Sequence, residues 1–178
     1  MFTKLLPIAI LLAVAAQASG QALPRPDVPD KIEAPANEQV VLMAHGSGAQ
    51  IYVCRAGADG KPAWSLKAPE AELRDSQGAI VGHHSAGPTW KYKDGSEISG
   101  KAVERVNAPD SASIQWLLVS ITHHSGKKNG GFSHVTSVQR INTQGGMPPT
   151  DSDCNTSKLN TEVKSPYSAD YYFYAPAK

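Results

Sequence analysis

Between Gly82 and Gly100 the chain reads GHHSAGPTWKYKDGSEISG, placing two adjacent histidines, a Gly-Pro turn, a tryptophan, a tyrosine and an Asp-Gly-Ser turn in one short stretch. Imidazoles can ligate metal, and aromatic rings beside polar turn residues can hold a ligand, so this stretch is the first place to seek chemistry. Geometry removes the simplest metal site. Successive strand residues point to opposite faces, so His83 and His84 cannot serve one ion, and the same holds for His123 and His124. A second pairing survives. If Ser125 to Gly131 is a hairpin loop, His124 and His134 lie diagonally on one face, half of a zinc or copper site to which His84 adds a third ligand if its strand is adjacent. Polar residues near hairpin ends explain the same pattern, and no metal is assigned.

Nucleophilic catalysis has little to stand on. His45-Gly46-Ser47-Gly48 and His84-Ser85-Ala86-Gly87 set serine beside histidine, but no G-x-S-x-G elbow occurs, and turn chemistry accounts for both. Among the carboxylates, Asp94 is expected to cap its own turn. The aromatic residues say more. Trp90 shares strand parity with Tyr92, while Lys91 and Lys93 occupy the other face, so Trp90 is expected on a half-exposed strand; Trp116 is expected in the core. The candidate ligand-binding set is His84, Trp90, Asp94 and Arg140. A metal-dependent enzyme using His84 with Asp94 or His124 is the catalytic alternative, and a structural or cell-surface interaction protein is the third.

The elements that must position these residues are strands. Period-two alternation marks Gln39 to Ala44 and Ala49 to Arg55, separated by a turn at Gly46-Ser47-Gly48. Ala63 to Lys67, Ala79 to His84, Pro88 to Lys93, Glu97 to Val103, Val135 to Asn142 and Tyr171 to Tyr174 continue the series. Ser113 to Thr122 is apolar on both faces at Trp116-Leu117-Leu118-Val119, which predicts a central strand. Only Pro69 to Arg74 offers a short helix. Many short strands with Gly, Pro, Asp and Ser turns predict an all-β domain, a single antiparallel sandwich or barrel with long irregular loops.

Lys4 and the apolar run from Leu5 to Ala16, followed by small residues, predict a signal peptide over residues 1–20. The run is shorter than the roughly 20 residues that span a bilayer, and nothing later approaches it, so stable membrane insertion after cleavage is not expected. Pro24, Pro26, Pro29 and Pro35 make 21–38 an extended linker, leaving 39–178 as one β domain. The 17 basic and 16 acidic residues show no block of like charge, which disfavours nucleic acid. Two cysteines, Cys54 and Cys154, are expected to pair in a secreted or periplasmic setting.

A run of ordered segments carries a family resemblance. They include Gly48-x-Gln50-x-Tyr52-x-Cys54, Trp64 with Pro69-x-Ala71-x-Leu73, and His84-x-Ala86-Gly87-Pro88-Thr89-Trp90 with Asp94-Gly95-Ser96. Trp116-Leu117-Leu118 and Gln139-Arg140-x-x-Thr143-x-Gly145-Gly146 follow, then Pro148 to Cys154 and Ala169-x-Tyr171-Tyr172-Phe173-Tyr174. This pattern resembles a bacterial and fungal secreted domain of unknown function, family 3455. The resemblance covers nearly the whole mature chain, includes both cysteines and so supports their pairing, and implies no activity. It contains His84 but not His83, includes His124 loosely, and leaves His134 outside. The function expected from the sequence is a secreted β-domain binding a small molecule or glycan, with no cofactor indicated.

Overall fold

Alternation of apolar and polar residues runs through eight strands, and burying the apolar set closes them into a ring. The computed structural model describes residues 23–177; the leader expected over 1–20 lies outside them. The strands are β1 (Glu38–Ala56), β2 (Pro62–Arg74), β3 (Ile80–Ser85), β4 (Thr89–Tyr92), β5 (Ser96–Val106), β6 (Trp116–Gly126), β7 (Ser137–Gly145) and β8 (Glu162–Pro176). Each pairs antiparallel with the next, and β8 returns to β1, forming a closed barrel. Of the two architectures open at the level of sequence, the barrel is the one adopted. Outward positions such as His45, Glu70, His83, Lys91 and Lys101 are exposed and polar. No helix among the described residues is long and apolar enough to cross a membrane.

β1 corrects the expected turn at Gly46-Ser47-Gly48, because one strand runs straight through it. The two glycines are there for space. A Cβ on Gly46 would sit 2.5 Å from the Tyr171 ring, and one on Gly48 would sit 2.0 Å from the Glu70 carbonyl oxygen. The removed side chains let an aromatic ring and a neighbouring strand come close. The expected helix at Pro69 to Arg74 is likewise strand, held by pairing with β1 and β3.

The barrel interior is filled unequally. Phe132, Val135, Trp90, Tyr171 and Phe173 are each at most 2% exposed and form one cluster with Leu73, Ile98 and Val138. Phe132 comes from the β6–β7 loop, stacks on Phe173 at 4.6 Å between centroids, and tilts against Tyr92. It plugs one end. Two strand-edge hydrogen bonds pin that loop: Gly131 N–H donates to Asp94 Oδ2 at 2.8 Å, and Phe132 N–H to Ser96 Oγ at 3.1 Å.

The described part of the Pro-rich segment makes a 3-10 turn at Asp30–Ile32 and a second turn at Ala36-Asn37, and it lies against the barrel wall. Ile32 is fully buried, its carbonyl accepts from Gln139 Nε2 at 2.6 Å, and Ala34 packs with Val40, Tyr174 and Leu118. This cover explains why Leu118, on the outer face of β6, is apolar. At the other end Cys54 and Cys154 form a disulfide across 100 residues. It fastens the β7–β8 excursion to the end of β1.

Replacing Phe132 with alanine removes the plug. The expected loss is about 3–5 kcal/mol of stability, read from urea denaturation; a loss below about 1 kcal/mol would mean that the plug does not close the core.

Candidate functional site

The end of the barrel away from Phe132 is open. There the β3–β4 turn, the β5–β6 loop and the start of the β7–β8 excursion surround a cavity of about 880 Å³, within the range of small-molecule sites. Gln50, His84 and Arg140 line it, and Leu66 and Met147 stand exposed at its lip. The β5–β6 loop is tied over the rim, since Ile114 N–H donates to the Gly145 carbonyl at 2.9 Å and Thr143 Oγ1 to the Ile114 carbonyl at 2.5 Å. Tyr52 braces the opposite lip by donating to the Gly146 carbonyl at 2.8 Å.

Strand parity turns the two histidines to opposite faces, as expected, with His84 inward and His83 exposed. His84 faces Trp90 across the β3–β4 ladder, and the rings stack at 4.6 Å with planes 10° apart. Burial, with a smaller push from the Arg140 charge against the opposing Thr89 hydrogen bond, brings its pKa down to about 3. The ring is therefore neutral across the physiological range. Its Nδ1 lies 2.9 Å from the Thr89 carbonyl, which can only accept. Nδ1 therefore carries the proton, and Nε2 keeps a lone pair.

Arg140 stands on β7 between Leu117 of β6 and Tyr171 of β8. Its Nη2 donates to the Gln115 carbonyl at 2.7 Å, but its buried Nε–H has no partner among the described residues, nor does the buried Gln50 Nε2. Burial raises the phenol pKa values of Tyr52, Tyr167 and Tyr171, and the Arg140 charge opposes that rise at all three. At Tyr171, the cross-strand neighbour of Arg140, hydrogen bonding from Tyr167 and Arg140 opposes the rise as well. Tyr167 and Tyr171 are joined hydroxyl to hydroxyl at 3.0 Å. No carboxylate among the described residues lies within ion-pair distance of Arg140.

The four sequence candidates thus separate. His84 and Arg140 line one cavity. Trp90 is 2% exposed and sits in the core beside His84, with its Nε1 unpartnered. The lysines beside it do mark a one-sided strand, but the tryptophan holds the inner face. Trp116, expected in the core, is half-buried instead, because inward parity on β6 belongs to Val119 and Ile121. Asp94 lies four residues beyond Trp90, roughly 13 Å along the chain, at the plugged end. There it accepts from Ser96 N and Oγ at 2.9 and 2.7 Å. Those bonds, with the one from Gly131, hold its carboxyl down to about 2. His124 is separated from His84 by β4 and β5, is exposed, and has Nε2 2.8 Å from the Val135 carbonyl. The β6–β7 ladder ends at Ser120 and Ser137 rather than running to the expected loop, so His134 sits in that loop, off the ladder. No three histidine, cysteine or acidic side chains cluster as metal ligands among the described residues.

Gln50 was missed by the sequence reading. Its signal was present: a polar residue on the inward parity of a strand, two before the buried Tyr52.

Comparison with known proteins gives one match. A family described as "Protein of unknown function (DUF3455)" matches residues 35–175. The chain belongs to this family. The matched region runs from the N-terminal arm through β8 and contains every cavity residue named above. No curated protein and no solved structure matches.

His84 gives a direct check on the cavity wall. Folding lowers its pKa below the ordinary value near 6.5, so the unfolded chain binds the extra proton first. Its contribution to stability is complete above about pH 6.5 and declines as pH falls toward the folded value, by at most about 1.4 kcal/mol per pH unit. Side-chain nitrogen NMR should show His84 as the Nδ1–H tautomer and unchanged from pH 8 to 4.5. A midpoint near 6.5 would contradict its burial.

Proposed function

We propose that this protein is a small-molecule-binding barrel whose ligand enters the unplugged end and rests against Gln50, His84 and Arg140. The observation that carries the reading is a cavity of about 880 Å³ whose lining residues Gln50 and Arg140 each keep a buried N–H without a partner among the described residues. Buried polar groups are normally paired, and each unpaired one carries a desolvation cost of about 1–3 kcal/mol. A ligand oxygen would relieve it.

A small molecule is favoured over a glycan. Sugar platforms need an exposed aromatic face, whereas Trp90 is buried and Trp64 and Trp116 are only half-exposed and do not line the cavity. Export fits the same reading, because a disulfide between Cys54 and Cys154 persists in oxidising compartments and the leader-like start of the chain supplies a route.

The test uses a neutral, environment-sensitive dye, phenylnaphthylamine, titrated into the folded protein. Saturable fluorescence enhancement is expected from the wild type. Ala102→Trp, which fills the cavity from its β5 wall, should weaken it by about ten-fold or more. Absence of enhancement in the wild type, or full enhancement in a folded A102W variant, would refute the reading.

A further inference from the structure

Resting on that reading, we infer that the ligand is an organic acid: an anionic head, best a carboxylate, on an apolar body. The charged side chains lining the cavity are mostly cationic. Its lining contains the cationic guanidinium of Arg140, which has no carboxylate within ion-pair distance among the described residues. Asp110 is the one carboxylate among the described lining residues; it accepts from Ala112 N at 2.9 Å and Ser113 Oγ at 3.0 Å and forms no ion pair with Arg140. Arg105 adds a second cation at the rim, while Lys67 is already paired with Glu162 at 2.6 Å.

The donor pattern agrees with the charge. Arg140 Nε–H and Gln50 Nε2 are both donors without acceptors among the described residues, a pattern that suits an anionic head better than a cationic one. Charge-assisted hydrogen bonds of this kind are about twice as strong as neutral ones. With no counter-charge beside Arg140 among the described residues, an incoming anion is favoured there and an incoming cation is repelled. The lip supplies the other half of the specificity. Leu66 and Met147 are 55% and 44% exposed there, with Pro88 and Pro109 beside them. An acid head therefore goes inward and an apolar body stays toward the mouth.

Three matched compounds test this against the bound dye near neutral pH: cinnamate, cinnamamide and cinnamylamine. They share one rigid apolar body and differ in the charge of the head. Cinnamate should displace the dye about ten-fold or more below the amide's concentration, with the amine weakest. Arg140→Gln should collapse the ratio of acid to amide affinity to near one. Equal displacement by acid and amide in the wild type, or preference for the amine, overturns the assignment while leaving a small-molecule barrel intact. So does displacement by none of the three from a dye that still binds. Failure of the dye itself removes the underlying reading. The wild-type comparison needs no variant, so instability of R140Q does not blunt it.

Discussion

Closure of the barrel through β1 is the constraint on which everything else depends. β1 hydrogen-bonds to β8 from Glu38 to Val53 and to β2 from His45 to Ala56, so its middle is paired on both sides. A ring has no edge strands to protect, and it fixes an interior of limited volume. An eight-stranded ring is just wide enough to be filled by side chains or to keep room for one small ligand. This chain does both, at opposite ends. The glycines at 46 and 48 are the local cost of closure, because they admit Tyr171 and β2 at distances that no larger residue allows.

The asymmetry between the two ends follows from which loops carry apolar residues. The β6–β7 loop sends Phe132 and Val135 into the interior and is held by Asp94 and Ser96. The β5–β6 loop sends in only Ile114 and otherwise arches over the rim. Polar side chains on inward positions at this end then lie in the cavity wall, buried and incompletely paired. Arg140, Gln50 and the neutral ring of His84 are the outcome. A charge with no counter-charge is tolerable beside a hydrated opening and would be costly in the plugged half.

Period two was enough to read an all-β chain and the opposite facing of His83 and His84, since both depend only on local geometry. Closure was not legible, because it depends on β8 meeting β1 across more than a hundred residues. Gly46 and Gly48 misled for the same reason: locally they look like a turn, and their purpose is a distant ring. Asp94 shows the limit most clearly. Its capping bond to Ser96 is local and was anticipated, but its hold on Gly131 is tertiary, and that hold sets it at the plugged end. Arg140 could be nominated from the sequence, yet its lack of a partner is a statement about every other carboxylate in the fold.

The central claim is a cation with no counter-charge among the described residues at an open barrel end, and an anion visible to X-rays tests it most directly. Crystals soaked in bromide and measured at the bromine absorption edge should show an anomalous peak inside the barrel, between Arg140 Nε and Gln50 Nε2. An interior free of bromide, with the Arg140 side chain turned out to pair with Asp110, would contradict the account.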